Sequence, residues 1–287
     1  MSLGEELHRE LVAALTLTES GDGVLRAPYF SEGRGVVFGG QLLGQAIVAA
    51  AHRISGKRVK SVQTIFARGV NVVEPADISV EPMHEGRNIA SVTVTFAQGG
   101  RTCARCLVLL DVAEPDLVRW QIPMPDVDPP DIAAARPNAL TAPETIVVGD
   151  VDVDDPDLTG PAALQLWVRF PEAPHDDAVQ RALLAHTTDG WLIATAMRPH
   201  PNLGQAMAHT QVSTGVLTQS LAFHSDVDVR SWLLIDHETL AAGGGRTYGR
   251  GHVFTEDGRL VASFVQEALL RSFPTGQDPR GKQKTVF

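Results

Sequence analysis

The sequence is short of cysteine, of basic charge and of long apolar runs. Two cysteines, Cys103 and Cys106, occur in 287 residues. That is too few for a disulfide framework and excludes a small secreted scaffold held by bridges. Lys and Arg number 24 against 34 Asp and Glu, a net charge of −10, which argues against a nucleic-acid partner. The longest greasy stretch, Leu42 to Ala51, is interrupted by Gly44 and Gln45 and falls far short of the roughly 20 residues a membrane helix needs. The N-terminal stretch carries Glu5, Glu6 and Glu10 and no basic leader ahead of an apolar core, so no signal peptide is expected. Together these absences predict a cytoplasmic protein.

Several catalytic signatures are missing as well. The ten histidines show no HExxH spacing, and there is no Gly-x-Ser-x-Gly elbow, so neither a zinc hydrolase nor that kind of serine nucleophile is supported. Gly243-Gly244-Gly245 is not followed by Lys-Ser/Thr and a helix, which leaves it as a turn rather than a phosphate loop. Cys103 and Cys106 have redox spacing but lie in a strand pattern, where positions three apart face opposite ways. No metal site and no cofactor are expected.

The chain that remains is 44% hydrophobic and long enough for two ordinary domains. From Pro137 to Val168 there is no Lys or Arg, yet six acidic residues and several prolines crowd the region around it. Proline blocks helix interiors and ladder pairing, and like charges repel, so residues 115–160 read as a connection between modules at 1–114 and 161–287. The modules repeat one another. The Gly86-Arg87 and Gly245-Arg246 pairs are 159 residues apart, and Gly100-Arg101 and Gly258-Arg259 are 158 apart. Each copy reads strand, glycine turn, strand: Ala90, Val92, Val94 and Phe96 alternate with Ser91, Thr93 and Thr95, the period-two mark of a half-buried strand. A proline-free, alanine-rich helix precedes the strands in each copy, at 39–53 and at 177–197, the latter with Asp176 or Asp177 as N-cap. A long helix followed by consecutive antiparallel strands, twice over, is an α+β design.

Two residues stand out chemically. Asp189 falls on a helical stripe with Ala182, Ala185, His186, Ile193 and Ala196; a carboxylate partly desolvated there becomes a better base, the alternative being a solvent-facing Asp on an amphipathic helix. Gln266 is the one polar group in the row Leu260, Ala262, Phe264, Gln266, Ala268, Leu270. A buried amide must find hydrogen-bond partners, so a polar group is expected opposite it. The aligned position of the first module is Val108, so the fold itself does not require an amide there. A third strand, 213–224, places Thr214, Val216, Thr218, Ser220, Ala222 and His224 on one face by alternation.

These residues resemble the acyl-CoA thioesterase II family of double-hotdog enzymes. The likeness runs through Phe38-Gly39-Gly40-Gln41, Gly44-Gln45-Ala46, Phe66-Ala67-Arg68 and Glu85-Gly86-Arg87. It continues through Trp167-Val168-Arg169, Thr188-Asp189, Phe223-His224, Trp232-Leu233-Leu234, Gly249-Arg250-Gly251 and Val261 to Glu267. The resemblance implies two hotdog halves packed as a pseudo-dimer, further association into a homo-oligomer, and hydrolysis of acyl-CoA by water held between an Asp, a Gln and a Ser or Thr. The Asp position falls on Asp189 and the Gln position on Gln266. The hydroxyl position departs: it falls on Val216, so Thr218 on the same predicted face is expected to supply the hydroxyl, with Thr214 as the fallback. Gly39 and Gly40 would admit substrate to the start of the first helix, or serve only helix–sheet packing. An enoyl-CoA hydratase of the same fold and a catalytically silent acyl-CoA-binding protein are the alternatives.

Overall fold

The structure is a computed structural model that describes residues 3–21, 23–30, 35–139, 141–149 and 151–273. The elements in chain order are α1 (Leu3–Ala14), β1 (Thr18–Glu19), β2 (Leu25–Arg26), α2 (Gly39–Arg53), β3 (Arg58–Phe66), β4 (Asp77–Glu85), β5 (Ile89–Gln98) and β6 (Arg101–Asp111). Then come β7 (Arg136–Pro137), β8 (Glu144–Val147), β9 (Ala163–Arg169), α3 (Asp177–Thr188), α4 (Leu192–Met197), β10 (Val212–Phe223), β11 (Leu233–Gly243), β12 (Arg246–Thr255) and β13 (Leu260–Ser272). The thirteen strands form one antiparallel sheet, ordered β1-β2-β4-β5-β6-β3-β10-β13-β12-β11-β9-β8-β7. Its centre is the pairing of β3 with β10, and on either side the two halves mirror one another. This is the expected α+β architecture of two helix-and-sheet halves.

The repeated hairpins form where glycine permits. Gly99 and Gly100 join β5 to β6 with φ of 57° and 71°, and Gly258 lies in the equivalent turn between β12 and β13 with φ of 83°, a conformation other residues adopt only under strain. Along β5, Ala90, Val92, Val94 and Phe96 are fully buried, as their alternation predicts. They pack beneath α2, whose Leu43, Ala46, Ile47 and Ala50 are likewise buried. In α2, Gln41 and Gln45 act as ties: Gln41 Oε1 accepts from Phe30 N–H at 3.0 Å, and Gln45 Nε2 donates to the Ala14 carbonyl at 2.8 Å.

Two features differ from the sequence expectation. The stretch 115–160 is not connection alone, since β7 and β8 lie in it and β8 pairs with β9. The helix expected over 177–197 is broken: α3 ends at Thr188, and α4 begins at Leu192. The cause is local. Thr187 and Thr188 turn their hydroxyls back onto the carbonyls of Leu183 and Ala185 at 3.0 and 2.8 Å, and Gly190 follows; side chains that compete for backbone acceptors and a flexible glycine end a helix readily. Asp189 is therefore the C-cap of α3 rather than part of a continuous stripe. At the other end, Asp176 is the N-cap, accepting from Val179 N–H at 2.9 Å.

Candidate active site

The site forms where α2 and α3 cross. The two helices approach closely because glycine lines the contact: a Cβ on Gly40 would stand 2.4 Å from the His186 carbonyl oxygen, and one on Gly44 would stand 3.1 Å from that of Ala182. The start of α2 has no side-chain cap of its own, its N-cap being Phe38. Asp189 fills that role from the end of α3, accepting from the Gly40 backbone N–H. Gly39 makes the approach possible, since a Cβ there would lie 2.8 Å from Asp189 Oδ2.

Asp189 is buried, and burial pushes its carboxyl up from 3.8 to about 8, opposed in part by the Gly40 N–H and the Gln266 amide. Both donors favour the anion, and so does the positive end of α2, but desolvation outweighs them. Gln266 Nε2 donates to Asp189 Oδ1 at 3.1 Å and to Gln219 Oε1 at 3.0 Å. The polar group expected opposite Gln266 is thus two groups, one from each neighbouring element. Gln266 Oε1 is buried and has no partner among the described residues.

Asp189 opens onto a cavity of about 880 Å³, its mouth included, lined also by Gly39, Phe66, Ile193, Thr214 and Val216. Gly40 does not share that wall; it is spent on the contact with α3. Thr214 is buried on the wall, 3.4 Å from His209 Nδ1.

The expected face of β10 holds only as far as Val216. A bulge between Val216 and Thr218 shifts the register, so that Val216 pairs with Ala268 and Gln219 with Gln266, while Thr218 pairs with Glu267 and with the exposed Ile65. Paired residues in an antiparallel sheet point to the same side. Thr218 therefore belongs to the outer face, and the expectation that it faces the site is corrected: one extra residue reverses every later side chain. Gln219, which alternation had placed outside, faces Gln266. No sequence signal marks the bulge.

No helix among the described residues is long and apolar enough to cross a membrane, and they hold no cluster of three or more metal-ligating side chains. The model of the acyl-CoA thioesterase N-terminal domain matches residues 26–110, and that of the C-terminal domain matches residues 115–270. The chain is 29% identical over 286 residues to acyl-CoA thioesterase 2 of Haemophilus influenzae, covering 93% of this chain and 98% of that protein. It is 27% identical to human acyl-coenzyme A thioesterase 8, covering 83% and 81%. Its fold matches the crystal structure of an acyl-CoA thioesterase II from Mycobacterium marinum at a TM-score of 0.77 and 23% identity, covering 92% and 99%. A hot dog protein from Alicyclobacillus acidocaldarius matches at 0.75 and 20% identity, covering 92% and 98%. With both domain models matched in order across a double-hotdog sheet, the chain belongs to the acyl-CoA thioesterase family of hydrolases.

Proposed function

We propose that this protein hydrolyses fatty acyl-CoA to the free acid and CoA with Asp189 as general base. What carries the reading is a buried carboxylate raised to about 8, set on the wall of a largely apolar cavity and hydrogen-bonded to an amide from a distant strand. Asp189 takes a proton from water, whose oxygen attacks the thioester carbonyl. Gln266 holds that water on one side, and Thr214 replaces Thr218 as the hydroxyl that holds it on the other. The tetrahedral oxyanion collapses, the C–S bond breaks, and the CoA thiolate leaves with the proton that Asp189 carried. A thiol with a pKa near 8.5 departs without a metal or a strong acid. Gly39, at the start of α2 and on the cavity wall, supplies a backbone N–H for the oxyanion, and its missing side chain leaves room for the thioester.

The hydratase reading calls for a histidine beside the carboxylate. His186, one turn earlier on α3, packs instead against the rings of Phe30 and Phe38. Localisation in the cytoplasm and assembly into a homo-oligomer belong to the same proposal; size-exclusion chromatography with light scattering tests the second.

The deciding experiment is thiol release from a panel of acyl-CoAs by the wild-type protein and Gln266→Ala. Release across the panel that falls in the variant is expected. Saturable acyl-CoA binding without release would establish the silent binding protein instead. Because a general base works only when ionised, kcat/KM is expected to fall as pH drops through about 8, far above the range of an ordinary carboxylate. An acid limb near pH 4 would show that the carboxyl titrates as an ordinary aspartate, leaving Asp189→Asn to decide its role as the base.

A further inference from the structure

We infer that Thr188 and Gln219 are positioning residues that fix which way round the Gln266 amide sits, an inference that rests on the general-base reading above. The argument follows donors and acceptors outward from a backbone carbonyl. The carbonyl of Ala185 can only accept, so the hydroxyl proton of Thr188 is spent there, at 2.8 Å. Toward Gln219 the Thr188 oxygen can then only accept, which it does from Gln219 Nε2 at 2.8 Å. The Gln219 amide must therefore present its oxygen to Gln266, and Gln266 must present its NH2, at 3.0 Å. The second hydrogen of that NH2 reaches Asp189 Oδ1 at 3.1 Å.

Turning the Gln266 amide over would set its oxygen against the oxygen of Gln219 and, in the ionised form that acts as base, against the Asp189 carboxylate, two acceptor–acceptor contacts at once. Water does not rescue the wrong orientation, because Thr188, Gln219, Gln266 and Asp189 are 0%, 1%, 2% and 4% exposed. In such surroundings an unmatched polar contact keeps its full cost. The relay thus holds the Gln266 NH2 against the carboxylate and leaves Gln266 Oε1, with no partner among the described residues, to accept a hydrogen from the attacking water. The bulge in β10 makes this possible, because without it position 219 would face outward. Of the four residues Asp189 alone lines the cavity; Thr188 and Gln219 make their hydrogen bonds within the relay, so both act through Gln266.

The test compares Thr188→Val, which removes the hydroxyl at constant shape, with Thr188→Ser, which keeps it, and adds Gln219→Leu and Gln219→Glu. All are followed by circular dichroism, melting and thiol release across pH. Thr188→Val and Gln219→Leu are expected to lower kcat about tenfold, the effect of one buried hydrogen bond, with KM within about twofold. They should also move the acid limb of kcat/KM to higher pH, since Asp189 loses an enforced donor. Thr188→Ser should match the wild type. Gln219→Glu keeps an acceptor for Gln266 but adds a negative charge, so its limb should move up as well. The other titratable or charged side chains around Asp189 are Arg68 at the end of β3 and His209 ahead of β10 on the cavity wall, with His186 one turn earlier on α3; none is altered.

Unchanged kcat and an unmoved limb in folded Thr188→Val and Gln219→Leu overturn the inference, as does a Thr188→Ser variant impaired like Thr188→Val. Should Gln219→Leu fail to fold, Thr188→Val and Gln219→Glu decide. Asp189→Asn run in parallel separates the two levels. If it is inactive while Thr188→Val is normal, only the relay falls; if it retains full turnover, the general-base reading falls and the relay with it.

Discussion

The two halves of the sheet place the same backbone positions in the same relation and fill them with opposite chemistry. In the second half Gln266 on β13 lies between Gln219 on β10 and Gly249 on β12. In the first, Val108 on β6 lies between Val62 on β3 and Val92 on β5, and all three valines are buried. The helix ends diverge in the same way: α3 is capped by Asp189 and α2 by buried Ile54. The first half therefore shows what the fold needs at these places, which is close-packed aliphatic side chains. Amides and a carboxylate there lose hydration that only their mutual hydrogen bonds offset. Under the general-base proposal such a cluster is a site kept for chemistry at the expense of stability.

Erasing the carboxylate is the strongest way to break the contrast. Asp189→Asn is expected to lower kcat by roughly two to four orders of magnitude, the range for a lost general base, measured as thiol release at saturating acyl-CoA; unchanged turnover of several substrates would reject the assignment. Making the second half more like the first through Gln266→Val should cost about 10²-fold or more, comparable to losing one preorganised polar contact to the reacting centre. If Gln266→Val matches the wild type, the amide serves only to fill space.

Asp189→Asn should also stabilise the protein, in a way pH exposes. The unfolded chain releases this proton near 3.8 and the folded chain near 8. Between those values the native state holds the extra proton, so the contribution of Asp189 to stability falls as pH rises and its full deficit is present above about 8. The melting-temperature gain of Asp189→Asn should thus be small at pH 4 and grow to several degrees by pH 8. A gain that does not depend on pH would mean the carboxyl titrates normally.

How much of this was legible in the sequence depended on whether a signal was periodic. The β5 and β6 hairpin could be read because alternation and a glycine turn agree, and Gln266 because it interrupts an apolar row. The end of α3 could not: Ile193 and Ala196 continue the helical spacing past Asp189, and only the hydroxyls of Thr187 and Thr188 turning onto the backbone reveal the stop. The bulge was hidden for a similar reason, since Leu217 fits a strand in either register and the displacement of Thr218 by Gln219 depends on pairing across chain-distant strands. Helix α1 rests on Leu7, Leu11 and Ala14, all buried, whose helical spacing is short and set among the acidic residues Glu5, Glu6 and Glu10. Strands β7 and β8 lie inside the proline-rich, acidic stretch 115–160 that reads as linker.

The smallest effect runs the comparison in reverse. Val108→Gln would place the amide of the second half at its counterpart in the first, where Val62 and Val92 offer no polar partner. A buried amide left unsatisfied costs about 1–3 kcal/mol, so the midpoint of urea unfolding should drop while kcat and KM stay at wild-type values, because the cavity carrying Asp189 does not include this position. Adding Val62→Gln would supply one cross-strand partner of the kind Gln219 gives Gln266, and should recover part of that loss. If the single substitution is neutral, water reaches position 108 and burial there does not forbid polar groups. In that case the valines of the first half are not evidence of what the fold requires, and the case for the amide rests on the activity of Gln266→Val alone.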